Sequence, residues 1–312
     1  MNISTTIVVV GFAALSILNI ATAVLIQRML RSPRTRLLED DEAPLGLVIL
    51  CLRGGDPFLD RSLRRLIDQD YPNYRVRIML DSENDSARPY VDAVLNELRP
   101  RNVEVSWLRE RYDTCTYKMS GILAATASLP EGTRFVALMD GDTVPHRSWL
   151  RELASPIVRG EALCTTGNRW YFPEQADLGS MVRVAWGAGA LIMMSLTRIP
   201  WGGTMAVRSD VIGDERLRHR IQHAFSEDTT IAQFINELGG RIEVEPRLVI
   251  VNYEQIRMRS FFNFNTRQLL AARLQHRSWW WIVLHGVSGL PMIGFPIARM
   301  LGLDLGPAAD VA

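Results

Sequence analysis

The chain has 312 residues, enough for one large domain with a few membrane segments or for two small domains. Hydrophobic residues make up 47% and charged residues 22%, an ordinary globular composition, so membrane segments must be found locally. A net charge of +1 argues against a general nucleic-acid binder, which needs a basic face to neutralise phosphates. The 3 cysteines are widely spaced, which predicts neither a disulfide framework nor a zinc site and favours a reducing compartment.

An uncharged apolar run, Ile7–Ile26, opens the chain. It matches the about 20 residues of one helical bilayer crossing, which predicts a transmembrane anchor over 1–28. A cleaved signal peptide is the alternative, but the run is long for one and lacks a basic start. Basic residues follow the run and none precedes it, namely Arg28, Arg31, Arg34 and Arg36. The positive-inside rule therefore places the following domain in the cytoplasm.

A polar, proline-containing stretch over 29–44 predicts a linker, after which strand and helix patterns alternate. The segment Leu59–Ile67 has helical spacing. The strand-like runs are Leu45–Leu52, Arg75–Leu80, Asn102–Trp107 and Arg134–Met139. This alternation predicts an α/β domain over 45–262, with a mostly parallel sheet, helices on both faces and ligands at the carboxyl ends of the strands.

Two later segments are apolar. Val184–Ile199 is short for a membrane span and predicts an interfacial or buried helix. Three tryptophans at 279–281 open an apolar run that reaches Leu301, a pattern typical of a second membrane helix over 279–301. Glycines and prolines within that run leave a re-entrant hairpin as the alternative, and a short tail follows over 302–312.

The acidic triplet Asp140-Gly141-Asp142 follows the apolar residues VALM at a predicted strand end. Carboxylates are hard oxygen ligands, and magnesium typically uses one or two of them while substrate phosphates complete its shell. The intervening glycine lets a phosphate approach the backbone closely. The triplet therefore predicts a site for a metal and a diphosphate, although the same residues are also common in simple turns.

Two single residues are further candidates for a nucleotide site. Asp81 ends a predicted strand, where it can accept hydrogen bonds from a base or ribose, or alternatively cap the next helix. Lys118 is the only lysine in the chain. Because a surface cation in this chain would be arginine, we interpret Lys118 as an ionic contact within the nucleotide site.

Two later motifs are candidates for the acceptor side. The segment Trp201-Gly202-Gly203-Thr204 places an indole wall beside glycines that permit close approach of a ligand, with a plain turn as the alternative. The segment Ser226-Glu227-Asp228-Thr229 has the pattern of a cap before a helix over Thr230–Leu238. Its acidic pair can instead supply a general base for an acceptor hydroxyl.

In this order, the motifs resemble those of the inverting family 2 type glycosyltransferases, especially the ceramide glucosyltransferase-like (family 21-like) members. The resemblance covers 45–273 and implies a GT-A fold, that of nucleotide-diphospho-sugar transferases. It assigns Arg53, Asp81, Lys118 and Asp140 to donor binding, and Asp142 with Asp140 to Mg²⁺ or Mn²⁺. It assigns Trp201, Gly202, Gly203 and Thr204 to the acceptor side, and Asp228 with Glu227 to catalysis.

One motif departs from the family pattern. Members usually end the catalytic domain with Gln/Arg-x-x-Arg-Trp, whereas the nearest match here is Phe264-Asn265-Thr266-Arg267-Gln268, without the tryptophan. Arg267 can still provide a cation for the diphosphate, and Gln268 is placed with it on the donor side. We expect this segment to lie in an interfacial helix over 263–278.

The resemblance implies transfer from a UDP-sugar, with UDP-glucose favoured, to a lipid hydroxyl of the ceramide, diacylglycerol or hopanoid type, at a membrane of the bacterial inner-membrane kind. A polysaccharide synthase is the rival enzyme, which we disfavour because about two membrane helices are too few for a channel. A catalytically degenerate, membrane-tethered scaffold is the alternative of another class.

Overall fold

A computed structural model of the protein describes residues 3–31, 36–275 and 279–287. The chain divides into two compact units, Arg34–His276 and a terminal unit made of Met1–Pro33 with Arg277–Ala312. The larger unit is called the α/β domain below. Several predicted segments reach outside the described part of the chain. These are residues 32–35 of the predicted linker, residues 276–278 at the end of the predicted interfacial helix, residues 288–301 of the predicted membrane segment, and the tail 302–312.

The terminal unit contains a long apolar helix, α1 (Ile3–Arg31), and a helical segment over 279–287. Val10–Arg31 has a mean hydropathy of 1.9 and is long and apolar enough to cross a membrane by length and composition alone. Arg28 and Arg31 lie in its last turn, where positive charge complements the helix dipole. The sequence signal for an anchor therefore corresponds to one continuous helix.

The α/β domain is built on one twisted sheet of 7 strands in the order β3-β2-β1-β4-β6-β5-β7. The strands are β1 (Gly46–Leu52), β2 (Tyr74–Leu80), β3 (Val103–Trp107), β4 (Phe135–Asp140), β5 (Cys164–Tyr171), β6 (Thr204–Arg208) and β7 (Ile242–Asn252). Within the described sheet, β6 is antiparallel to both of its neighbours and the other pairs are parallel. The predicted mostly parallel sheet is confirmed, and the first four strands match the predicted runs.

Helices cover both faces of this sheet. They are α2 (Leu59–Ile67), α3 (Arg88–Leu98), α4 (Tyr117–Ala125), α5 (Trp149–Val158), α6 (Leu178–Thr197), α7 (Ser209–Ile212), α8 (Glu215–Gln222), α9 (Glu227–Glu237) and α10 (Met258–Gln275). In β1, Val48 and Leu50 pack with α2, α3 and α5, whereas Leu47 and Ile49 pack with α4 and α9. Burial on both faces explains why β1 is a continuous apolar run rather than an alternating one.

The stretch 36–44, part of the linker that the sequence predicts over 29–44, packs on the domain. Leu38 is 3% exposed, its N–H donates to Ser155 Oγ at 3.1 Å, and its carbonyl accepts from Arg151 at 2.6 Å. The same guanidinium pairs with Asp40 at 2.6 Å. Two backbone bonds and one ion pair to α5 therefore fix a segment whose polar composition gave no sign of docking.

Two longer helices border the site described below. α6 covers the predicted segment Val184–Ile199 as far as Thr197. It begins earlier than predicted, because Asp177 caps it by accepting the N–H of Ser180 at 3.1 Å. By length and composition it could also cross a membrane. Gly179 packs so closely on the loop before α10 that a Cβ there would lie 2.2 Å from the Ile256 carbonyl. This close contact fixes the start of α6 against the approach to α10.

Candidate active site

The carboxyl ends of three neighbouring parallel strands meet at one edge of the sheet. Arg53 follows β1, Asp81 follows β2, and Asp140 ends β4. Beyond them lies a cavity of about 890 Å³, which the start of α9 and α10 also border. The predicted site residues that line it are Arg53, Lys118, Asp140, Asp142, Trp201, Glu227, Asp228, Arg267 and Gln268. Residues far apart in sequence therefore share one cavity, as the strand-end rule predicts.

Lys118 lies at the centre of the site, in the first turn of α4. Its ammonium donates to Asp140 Oδ1 at 2.6 Å and to the Gly202 carbonyl at 3.1 Å, and it pairs with Glu227 Oε1 at 2.5 Å. An ammonium has three donors, so these partners use all of them. Burial lowers the pKa of Lys118, but the two carboxylates outweigh burial and hold the pKa above its ordinary value. Lys118 therefore bridges three protein groups, and its contact with a nucleotide stays a prediction.

The two aspartates of the triplet have different surroundings. Burial raises the pKa of Asp140, but Lys118 outweighs burial and the pKa lies below its ordinary value. Asp142 Oδ2 accepts from Asn252 at 2.8 Å, while its buried Oδ1 has no hydrogen-bond partner. Burial, and then the charge of Asp140, raise the pKa of Asp142 to about 6. Asp142 is thus a desolvated carboxylate with an unused oxygen.

This unused oxygen is the feature that bears on a metal ion. In the described part of the chain, no group of three or more histidine, cysteine or acidic side chains could hold a metal. The protein alone therefore offers one or two carboxylate ligands, the number that magnesium uses when phosphate oxygens complete its shell. The residues fit a divalent cation shared with a phosphate-bearing ligand.

The second acidic pair lies in the first turn of α9, which begins at Glu227 rather than at the predicted Thr230. Acidic residues there complement the positive end of the helix dipole. Asp228 Oδ1 accepts from the Ser226 hydroxyl and from the Thr229 N–H, and Oδ2 accepts from the Gly202 N–H at 3.2 Å. Burial raises the pKa of Glu227, and the Lys118 ammonium opposes that rise. Asp228 is held in orientation without a cationic partner in the described contacts.

The glycines of the Trp201-Gly202-Gly203-Thr204 segment let both acidic pairs approach. A Cβ on Gly202 would lie 2.1 Å from Glu227 Oε1, and one on Gly203 would lie 2.5 Å from Asp140 Oδ2. Trp201 lines the cavity. Thr204, by contrast, is fully buried and accepts from the Trp149 indole at 2.6 Å. The segment therefore packs between the acidic pairs, with Thr204 beneath the cavity floor.

Asp81 lines a smaller adjoining pocket of about 80 Å³ that shares Arg53 and Lys118 with the main cavity. Its Oδ2 lies 3.5 Å from Arg53 Nε and 2.9 Å from Arg111 Nη2, while its buried Oδ1 has no partner. Both guanidiniums lie over the Tyr117 ring, at 3.8 and 4.4 Å from its centroid. Asp81 does not cap α3, whose cap is Ala87. Sequence reasoning missed Tyr117 and Arg111.

The far wall of the cavity was also missed, because it comes from β5, β7 and α6. Arg183 is 2% exposed and pairs with Glu254 at 2.6 Å beneath the Tyr171 ring. Arg169 of β5 completes this wall. Asn252 of β7 is fully buried and donates to Asp142. β5 buries Thr165, Thr166 and Asn168, so it lacks the apolar pattern that identified the other strands. A buried polar strand gives no periodic signal.

A mostly parallel sheet, with a cavity beyond its strand ends and an Asp-Gly-Asp triplet at the end of β4, agrees with the GT-A fold that the sequence resemblance implies. Residues 47–216 match the model of glycosyl transferase family 2, and the chain belongs to that family. The protein is therefore a glycosyltransferase, as predicted. The ceramide glucosyltransferase-like branch stays a prediction.

A solved mannosyltransferase structure has the same fold. The mannosyltransferase PcManGT from Pyrobaculum calidifontis, in complex with GDP-Man and Mn²⁺, has a TM-score of 0.60 at 15% identity, over 97% of this chain and 90% of that chain. S. aureus TarS 1-349 in complex with UDP-GlcNAc has a TM-score of 0.47 at 16% identity, over 73% and 65%. At such identities only the fold is comparable. No curated protein matches the sequence.

Proposed function

We propose that the protein transfers a sugar, with inversion, from a UDP-sugar to the hydroxyl group of a lipid, with UDP-glucose as the favoured donor. The observation that supports this proposal is that the two carboxylates of each acidic pair have different partners. Lys118 binds one member of each pair, Asp140 and Glu227. The other members, Asp142 and Asp228, are left facing the same cavity.

Asp228 is the proposed general base. It would accept the proton of the acceptor hydroxyl as the new bond to the anomeric carbon forms and the bond from that carbon to the diphosphate breaks. Glu227 is less suited, because a 2.5 Å contact with the Lys118 ammonium occupies its carboxylate. The Gly202 and Thr229 N–H groups hold Asp228 in one orientation.

Asp142 is the proposed ligand of Mg²⁺ or Mn²⁺, with its unpartnered Oδ1 as the ligating atom and Asp140 beside it. Such an ion supplies Lewis-acid stabilisation of the departing diphosphate. Asn252 orients Asp142 through its hydrogen bond at 2.8 Å. Arg267 and Gln268 project from α10 into the same cavity, so the shortened motif still delivers an arginine there.

The adjoining pocket around Asp81 is the proposed site for the uridine. The unpartnered Asp81 Oδ1 can accept a hydrogen bond from a base or ribose. Arg53 and Tyr117 form part of the same wall and connect it to the main cavity. A nucleotide in this pocket would direct its phosphates toward the triplet.

A lipid acceptor is supported by the outer surfaces of the helices that border the cavity. Leu178 of α6 is 70% exposed, and Phe262 and Leu274 of α10 are 70% and 64% exposed. Exposed apolar side chains on such helices are typical of proteins that lie on a bilayer. With α1 as a membrane anchor and arginines at its end, the domain would act from the cytoplasmic side.

The test is product analysis in membranes of cells that express the full chain. Membranes are supplied with UDP-glucose, UDP-GlcNAc or GDP-mannose, and lipids are compared by mass spectrometry for the wild type, Asp228→Asn and the surface control Asp92→Asn. We expect a new glycolipid from a UDP-sugar in the wild type and the control, and none in Asp228→Asn. A product from GDP-mannose alone would refute the UDP donor, and a product without lipid would refute the acceptor.

A further inference from the structure

Arg169 differs from Arg53 and Arg183, two other arginines that line the cavity. It lies on β5 opposite Ile250 of β7, in the interior of the sheet's far half. Arg53 and Arg183 pair with Asp81 and Glu254. Arg169 makes neither an ion pair nor a hydrogen bond with any residue that the structure describes, although it faces a cavity rich in carboxylates.

Aromatic rings hold this guanidinium instead. Its central carbon lies 4.6 Å from the centroid of the Trp201 ring, 5.0 Å from Tyr171 and 5.1 Å from Phe264. Cation–π contacts of this kind fix the position of a guanidinium while leaving its N–H groups free. Three elements contribute the rings, so the cage forms only when β5, the Trp201 segment and α10 come together.

Arg169 lies near the acidic triplet. It lines the same cavity as Asp140 and Asp142. The Trp201 ring that contacts Arg169 packs on Gly203, where an added Cβ would lie 2.1 Å from that ring and 2.5 Å from Asp140 Oδ2. The guanidinium is therefore close to the place where the diphosphate and its cation would lie, yet no carboxylate of the described chain neutralises it directly.

We propose that Arg169 is a phosphate-binding residue, whose caged guanidinium takes up a phosphoryl group beside the triplet. This inference rests on the proposed function. A planar guanidinium offers paired donors that match phosphate oxygens, and a partly desolvated cation needs such an anion. When the bond from the anomeric carbon to the diphosphate breaks, the electron pair stays on the diphosphate, where Arg169 would stabilise the added charge.

Phosphate oxygens in this site can come from the donor diphosphate or from a phosphate on the acceptor. The first test uses calorimetry with UDP and uridine on the full chain in detergent with Mn²⁺. We expect Arg169→Met to weaken UDP binding roughly 10- to 100-fold, as for loss of a charge-assisted contact, and to leave uridine binding unchanged. Arg169→Lys should lose less, because it keeps the charge but not the planar fork.

Arg61→Met is the matched control, because Arg61 also stacks on an aromatic ring, 4.3 Å from the Tyr253 centroid, but lines neither cavity. It should bind UDP and uridine as the wild type does. A second test measures, for the wild type and Arg169→Met, the KM for an isoprenyl monophosphate and the KM for diacylglycerol. A rise for the phosphate acceptor alone, with unchanged UDP binding, would assign Arg169 to the acceptor phosphate.

The inference and the proposed function fail in different ways. If wild-type protein binds GDP but not UDP, the proposed donor is wrong, and the same Arg169 comparison is made with GDP and guanosine. If Arg169→Met weakens uridine and UDP equally, its effect is general loss of the pocket and the inference is overturned. Unchanged nucleotide binding together with unchanged KM for both acceptors would also overturn it.

Discussion

The two acidic pairs of the site lie on different kinds of scaffold and are nevertheless organised alike. Asp140 ends a buried strand and Asp142 follows it, whereas Glu227 and Asp228 open a helix. In each pair the first member contacts Lys118 and the second does not. The comparison indicates that the Lys118 ammonium neutralises one carboxylate of each pair, Asp140 and Glu227. The other two, Asp142 and Asp228, are then available for chemistry.

The largest effect on activity is expected when the two carboxylates of the second pair, Asp228 and Glu227, are substituted one at a time. Asp228→Asn should lower kcat by roughly 10²- to 10⁴-fold, the usual contribution of a general base, without weakening UDP binding. Glu227→Gln should cost about 10-fold or less, because Glu227 already serves Lys118. Steady-state kinetics and UDP calorimetry check both. Equal losses in the two variants would remove the distinction between them.

The first pair should respond in the same pattern. Asp142→Asn should lower turnover by about 10²-fold or more and raise the Mn²⁺ concentration needed for half-maximal activity, because Lewis-acid stabilisation contributes several kcal/mol. Activity is measured against Mn²⁺ and Mg²⁺ concentration, with Asp92→Asn as the control. Full wild-type activity in excess chelator would contradict the metal role altogether.

Lys118 connects the pairs, so its loss should affect stability as well as activity. Lys118→Met leaves two clustered carboxylates without their cation and should lower the free energy of unfolding by roughly 2–4 kcal/mol, less than for a fully buried pair. The Lys118 side chain is 28% exposed, so the expected loss is smaller than for a fully buried pair. Lys118→Arg should lower the free energy of unfolding by less, because it keeps the positive charge. Denaturant titration of the full chain in detergent checks both variants, and unchanged stability of Lys118→Met would refute the bridging role.

The smallest effect concerns the stability of metal-free protein. Because the pKa of Asp142 is raised from 3.8 to about 6, the folded state binds a proton between these values that the unfolded state has lost, so stability falls as pH rises through this window. Asp142→Asn replaces the buried carboxylate by a neutral side chain and so removes this loss of stability. It should raise the free energy of unfolding by roughly 1–3 kcal/mol at pH 7.5, and by little at pH 4.

Melting curves of the full chain in detergent with chelator, recorded at both pH values, test this expectation. The variant would then be more stable and less active than the wild type, as expected where a functional carboxylate is held in an unfavourable setting. A variant that is destabilised equally at both pH values would show that the carboxylate is structural.

Much of the fold could be predicted from local pattern. The continuous apolar run of β1 and the helical spacing of α2 predict their elements closely, and the strand-end rule placed Asp81 and Asp140 correctly at one edge. β5 could not be predicted, because buried threonines and an asparagine replace apolar residues there. The packing of the stretch 36–44 was also missed. The Leu38 N–H and carbonyl hold it, and backbone groups leave no pattern in the sequence.

The sequence alone determined which residues carry charge at the strand ends and that one lysine stands apart among arginines. The tertiary structure decided what each charge does. Asp142 meets Asn252 across 110 residues, and Lys118 meets Gly202 across 84. Such partners depend on the order β4-β6-β5-β7, which is not the order of the chain. Periodicity reports how one element faces the core, but not which distant element lies beside it, and so the acidic triplet acquired its specific surroundings only in the folded protein.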